Sequence, residues 1–307
     1  MAVQTTTSLS GEVKTYYDSK FLDSGKHKLL HDVGAQKNTH PKNEGKTIRF
    51  NRYDPLPVAT TPLTEGSNPS EVSLTSSTVE VTLQEYGNTI RVSKLLKLTS
   101  VDKDLANKIS HLGRNMGETL DTIVREELFT GATVQLANGR ASLADIVAGD
   151  NFNSDEIAKA VRMLENNKCE PYDDGYFIGK IGPNTKYDLV RDTTWIHAKT
   201  YSDVKGLYKG EAGELYKVRF IEVTNQKSEP SGGTPSIPVF SNFIHGRDAF
   251  GCYDLSGDVP QLYIKNPGPQ STENPADRYS TISWAGTYAA KVLIGDWIVN
   301  VKTAASS

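Results

Sequence analysis

Polar and apolar residues alternate along Lys46-Thr-Ile-Arg-Phe-Asn-Arg-Tyr53, placing Ile48 and Phe50 on one face. That period of two is the signature of a half-buried strand. A second alternating run, Thr78-Val-Glu-Val-Thr-Leu83, continues through Tyr86-Gly87 to Ile90 and Val92. Between the two runs, Asp54 to Ser77 is dense in Pro, Gly, Ser and Thr. Connections longer than about 12–15 residues are uncommon in compact domains and usually functional. The pattern therefore predicts two strands with a long tip, a protruding arm. A lone two-stranded hairpin is at best marginally stable in water and leaves backbone edges unpaired, so something must cover it.

The period then changes from two to three or four. Val101, Leu105, Ile109, Leu112, Met116, Leu120, Ile123, Val124 and Leu128 fall on one helical stripe. Ser100 is the N-cap candidate, Asp102 and Asp104 suit the positive end of the helix dipole, and Gly131 supplies the stop. About 30 residues at 1.5 Å each predict a rod of roughly 45 Å. Gly113 and Gly117 weaken it, which is explained if another segment packs closely there. Beyond residue 153 the pattern is mixed. Asn153 with Glu156 predicts a capping box opening a helix through Ile157, Val161 and Leu164. Strands are expected at Tyr176–Ile181 and Val218–Val223, a helix from Pro183 through Val190, and a loop at 229–238 before Val239. Ala249–Tyr253 and Gln261–Ile264 follow, then a Pro-rich loop at 266–277 and a closing strand pair, Tyr279–Tyr288 with Ala290–Val301. The class is α+β.

Residues 1–45 carry little regular pattern, although Tyr16, Tyr17, Phe21, Leu22, Leu29 and Leu30 are spaced to dock as a short helix. Residues 1–52 hold nine Lys/Arg against five acids. Between Tyr53 and Ile90 there are five acids (Asp54, Glu65, Glu71, Glu80, Glu85) and no Lys or Arg. One-signed charge of this kind fits either a solvated face or a complementary basic surface on a partner. The whole chain of 307 residues has a formal net charge of −3, which excludes a globally cationic nucleic-acid binder. No basic-then-apolar leader opens the sequence, and Lys291 and Asp296 interrupt the richest apolar stretch, so neither a secretory signal nor a membrane span is expected.

Catalytic and metal-binding patterns are missing. The six histidines (His27, His31, His40, His111, His197, His245) are dispersed. His27 and His31 could share a helical face but lack a third ligand. Cys169 and Cys252 read as two reduced thiols. Gly179, Gly182 and Pro183 form a strand-to-helix turn, not a phosphate cradle, because Pro183 removes an amide donor. Glu126 and Glu127 point about 100° apart on the rod, too divergent for an acid/base pair. The chain is expected to be no enzyme and to use no cofactor.

The order of arm, two-stranded loop, rod and mixed lobe resembles the Hong Kong 97 type of tailed-phage major capsid protein. It is more closely similar to the coliphage N-four-type major capsid family. The matching stretches are Gly45-Lys-Thr-Ile-Arg-Phe-Asn-Arg-Tyr-Asp-Pro-Leu-Pro57, Thr60-Thr-Pro-Leu-Thr-Glu-Gly66 and Gln84-Glu-Tyr-Gly87. Asp102-Lys-Asp-Leu105, Thr119-Leu-Asp121 and Lys217-Val-Arg-Phe-Ile-Glu222 add weaker matches. The resemblance spans nearly the whole chain. It implies an N-arm (1–45), an E-loop β-hairpin (46–93) and a P domain with a long spine helix (94–150). An A domain (mainly 151–240) follows, with A-domain and returning P-domain strands in 241–307. It implies self-assembly into hexamers and pentamers, an icosahedral shell around double-stranded phage DNA, and a place in the virion after assembly in the bacterial host cytoplasm. Partners would be sister copies, a portal and a decoration protein. A separate scaffolding protein is expected, since no domain-sized N-terminal extension is seen. No lysine lies between Lys46 and Lys94, so a non-covalent shell is expected.

The candidate intersubunit residues are Asp54, Leu56, Val58, Leu63, Glu65, Glu71, Glu80 and Glu85 on the arm. Arg91, Arg114, Arg125 and the N-arm lysines are their basic counterparts. Lys14, Lys20, Lys26 and Lys28 are candidates to face DNA, with solvation or protein contact as the alternative. Two rivals are an encapsulin-like protein compartment and a soluble α/β enzyme in 153–301.

Overall fold

The computed structural model describes residues 18–25, 29–53, 56–63, 65–66, 68–69, 71–99, 104–196, 211–256, 258, 260–265 and 278–306. The stripe read from the sequence becomes a helix, α3 (Asp104–Gly131), 28 residues and about 42 Å long. Ser100, Val101 and Asp102 lie outside the described residues. Ile109, Leu112, Met116, Leu120, Val124 and Leu128 of α3 are buried in one core with Phe250, Ile282, Trp284 and Ile298.

That core is floored by a five-stranded sheet. Its spine is β13 (Tyr279–Val292), 14 residues long and alternating in burial. β4 (Gln84–Ser93) pairs with β13 over ten residues. β12 (Gln261–Lys265) and β11 (Phe250–Leu255) also pair with β13, in succession, and β1 (Gln36–His40) adds a parallel edge to β11. A second, seven-stranded sheet runs β5 (Thr133–Leu136), β14 (Ile298–Thr303), β10 (Ile237–His245), β6 (Phe177–Ile181), β8 (Val218–Glu222) and β7 (Glu211–Leu215). β9 (Ser228–Gly233) pairs with β10. Helix α4 (Ser154–Asn166) covers one face and buries Ile157, Ala160, Val161 and Leu164 against Phe177, Phe220, Val299 and Val301. α5 (Pro183–Arg191) opens on Pro183 at its first turn, with Leu189 buried.

Several expectations are corrected. The second alternating run is two strands, β3 (Ser76–Thr82) and β4, broken at Leu83. Only β3 pairs with β2 (Thr47–Tyr53), because β4 is claimed by β13. The closing strands are no pair: β13 and β14 belong to different sheets, separated by a turn at Gly295–Trp297. The loop at 229–238 holds β9, whose polar sequence is carried by backbone pairing to β10. β1, Gln-Lys-Asn-Thr-His, has no apolar face because only its backbone edge docks. The capping box at Asn153 is one-sided. Asn153 accepts from the Glu156 amide, while the buried Glu156 carboxylate turns to Gln135, the Asn138 amide and Lys159.

The rod glycines have a geometric reason. A helical segment of the N-arm, α1 (18–25), lies along α3 with Phe21 buried. A Cβ on Gly113 would come within 2.3 Å of the Phe21 carbonyl oxygen, and one on Gly117 within 2.4 Å of the Gly25 carbonyl oxygen. Gly117→Val should therefore lift α1 and cost about 1–3 kcal/mol of stability, the range for overpacking. A thermal melt indistinguishable from the parent would show that α1 is not seated there.

Candidate intersubunit site

The arm begins on its own body. β2 and β3 pair over seven residues, from Thr47 opposite Thr82 to Tyr53 opposite Ser76. At the base, Val81 and Leu83 are buried with Tyr253 and Ala289, and Ile48 and Phe50 pack on them. The Phe50 and Tyr253 rings sit 5.1 Å apart. The arm thus leans on its own chain at the root, more than the sequence suggests.

The tip does not. Every described residue from 56 to 75 is exposed. Leu56, Val58, Leu63, Val72 and Leu74 are all large and open, Val58 at 84%. Soluble monomers rarely gather so many aliphatics on one unsupported segment. Among the predicted acids, Glu65, Glu71 and Glu85 are exposed. Glu80 pairs with Arg49 across the hairpin at 2.8 Å. Asp54 lies outside the described residues.

The basic candidates divide. Arg91 is exposed near the end of β4, its guanidinium 5.3 Å above the Tyr279 ring. Arg114 is exposed on the rod. Arg125 donates to Asn225 (2.5 Å) and Glu126 (2.6 Å) of its own chain. Lys20 is half-buried in α1, while Lys14, Lys26 and Lys28 lie outside the described residues. Of the residues set aside as non-catalytic, Glu126 binds Lys227, and Glu127 binds Lys291. Cys169 and Cys252 are free and buried, and burial pushes their thiols up to about 12 and about 11. Among the described residues no cluster of three His, Cys, Asp or Glu could hold a metal, and no helix is long and apolar enough to cross a membrane.

Sequence reasoning missed the cluster that seats the N-arm. Asp121, fully buried on α3, accepts the backbone N–H groups of Leu30 (2.8 Å) and His31 (2.7 Å) on one oxygen. Its other oxygen takes His31 Nδ1 (2.8 Å) and Asn225 Nδ2 (3.1 Å). Burial pushes the Asp121 carboxyl up, but the His31 and Leu30 hydrogen bonds outweigh it and hold the group below the usual carboxylate value. Lys180, from β6, donates to the His31 carbonyl at 2.6 Å and lies 4.4 Å above the Phe250 ring. Its complete burial lowers it from 10.5 to about 7. Beside it His245, also fully buried, is held well below 6.5 by burial and by the Lys180 charge. The arm is thus clasped between rod and second sheet largely through its main chain. The available signals were an acid inside the apolar stripe and a lysine inside the apolar strand Phe177-Ile-Gly-Lys-Ile181.

Comparison with solved structures follows this layout. The capsid of Ralstonia phage GP4 superposes with a TM-score of 0.70 at 13% identity, covering 91% of this chain and 89% of that one. The cyanophage Pam1 capsid asymmetric unit gives 0.68 at 17% identity, with 87% of each chain covered. The chain has the Hong Kong 97-like capsid fold. A virus-like particle from Pyrococcus furiosus also matches, with a TM-score of 0.55 at 11% identity over 94% of this chain and 99% of that one. No protein-family model matches the sequence, and neither does any curated protein.

Proposed function

We propose that this chain is the major capsid protein of a tailed phage, of the N-four type, a structural subunit with no catalytic role. The observation that carries the reading is the E-loop tip. Five large aliphatics and two exposed acids stand clear of their own body, on a fold shared with phage capsid subunits. Covering such a tip with a sister subunit takes its aliphatic surface out of water, which favours association. Residues 1–45 act as N-arm, 46–93 as E-loop, 94–150 as P domain, 151–240 mainly as A domain, and 241–307 return strands to both. Hexamers and pentamers close the shell around double-stranded DNA in the virion. A scaffolding protein, a portal and a decoration protein are the expected companions of assembly in the host cytoplasm.

Sedimentation and negative-stain imaging of the purified protein test this. Rings or closed shells are expected, and denaturing gels should show the single-chain band without a covalent ladder, since no lysine occupies the E-loop tip. A strictly monomeric protein at all concentrations and salt levels would overturn the proposal. The Pyrococcus furiosus likeness supports a second reading, a protein compartment. Nuclease-protected DNA inside particles favours the capsid, and protein cargo the compartment.

A further inference from the structure

We propose that the outer edge of β4 pairs, antiparallel and about a two-fold axis, with the same edge of a second copy of this chain. The inference rests on the capsid reading and names a contact that reading leaves open, one that joins rings to each other. β4 is paired on one side only, with β13. Ser93 stands opposite Tyr279, and the Lys94 amide, at the start of α2 (Lys94–Thr99), donates to the Arg278 carbonyl at 2.7 Å. Backbone groups alternate in direction along a strand, so the even-numbered residues of β4 bond to β13 and the odd-numbered ones face away. Two amides on that outward side already have acceptors. Leu83, just before β4, donates to the Lys46 carbonyl, and Thr89 donates to the Asn88 side chain. Among the described residues no strand pairs with Glu85, Gly87 or Arg91 on that side, and all three are exposed. An open edge of this length is a template for another strand.

The strand's own sequence selects the partner and the register. With Asn88 of both copies on the axis, Glu85 of each falls opposite Arg91 of the other, and Gly87 opposite Thr89. Outward residue meets outward residue, so every such pair exchanges two N–H···O bonds, roughly eight in all. Thr89 gives up its Asn88 acceptor for a carbonyl of the second copy. Arg91, whose guanidinium rests 5.3 Å above the Tyr279 ring, keeps its exposed side for the second copy's Glu85. On the opposite face Tyr86 meets Ile90, and both already pack on the core of the rod, so the apolar layer continues into the second copy. Moving the axis to Gly87 or Thr89 sets Arg91 against Leu83 or Gly87 and matches no charge. Opposite charges directly across a ladder stabilise it and like charges destabilise it, which favours the register centred on Asn88. A two-fold contact uses one patch on both partners and does not repeat around a ring of five or six, so it ties one ring to the next.

Cysteine cross-linking of the full chain tests the pairing. Residue 88 faces its own copy in a non-hydrogen-bonded pair, about 4.5 Å between Cα atoms, which is within disulfide reach. Asn88→Cys should therefore give an oxidised dimer on a non-reducing gel, whereas Glu85→Cys, opposite Arg91, should stay a single chain. The native Cys169 and Cys252 are buried and do not compete. In the Asn88→Cys background, Arg91→Glu or Glu85→Arg alone should slow cross-linking at least about ten-fold, and the variant carrying both should recover most of the rate. Thermal melts confirm that each variant folds. Normal particles without an Asn88→Cys cross-link, equal cross-linking from Glu85→Cys, or a folded double swap that stays slow would each overturn the pairing while leaving the capsid reading intact. A chain that neither assembles nor cross-links would overturn both.

Discussion

Replacing residues 54–75 with a two-residue Asn-Gly turn should yield a protein that melts like its parent and forms no particles. The turn closes Tyr53 onto Ser76, already an opposed pair, with the chemistry favoured in two-residue hairpins. Stability is preserved because the removed aliphatics bury nothing in the monomer, whereas Val81, Leu83, Ile48 and Phe50 keep the root packed on Tyr253. Assembly is lost because each tip side chain, once fully covered by a neighbour, contributes about 1.5–3 kcal/mol. Five of them amount to several kcal/mol per contact even after the cost of ordering the loop. Sedimentation decides the matter: shells at parental yield from the shortened chain would show that the tip is dispensable.

Asp121→Ala should cost about 3–5 kcal/mol, the range for breaking one side of a buried charged network. Two backbone N–H groups, the His31 ring and the Asn225 amide all lose their acceptor at once. A denaturant series would read the loss, and limited proteolysis near Leu30 should show the arm released first. Unchanged stability and unchanged cleavage would remove the clasp from the account. The pH dependence has a definite sign. Lys180, His31 and His245 are bases whose folded values lie below their unfolded ones, so the unfolded chain binds more protons. Stability must therefore fall as pH drops below 6.5, where the histidines charge on unfolding. It must rise from about 7 toward 9.0, below the range where unfolded cysteines ionise, as Lys180 sheds its proton only in the native state. The Lys180 slope approaches about 1.4 kcal/mol per pH unit. Lys180→Met should flatten that rise, and a profile parallel to the parent's would contradict the assignment.

The parts legible in the sequence were those governed by local periodicity. The stripe from Leu105 to Leu128 announces the rod, Gly113 and Gly117 announce something lying on it, and the Pro/Gly/Ser-rich tip between two alternating runs announces the arm. What stayed hidden depends on partners distant in sequence. Lys180 looks like a strand residue at an edge, yet its acceptor is a carbonyl 149 positions away. Arg125 looks like an open cation because Asn225, 100 positions on, is invisible to spacing. The break at Leu83 follows from β13 competing with β2 for one continuous alternating run, and no residue in that run marks where one partner yields to the other.

The shared strand β13 has a mechanical consequence. Because β4 lies alongside it for ten residues, a pull on the arm along its length is resisted by all the backbone bonds of that ladder together. Shearing demands that they fail nearly at once, whereas peeling would break them one by one. The joint at Leu83, where the ladder to β13 hands over to β2, is the place where such a force would bend the molecule before it tore it.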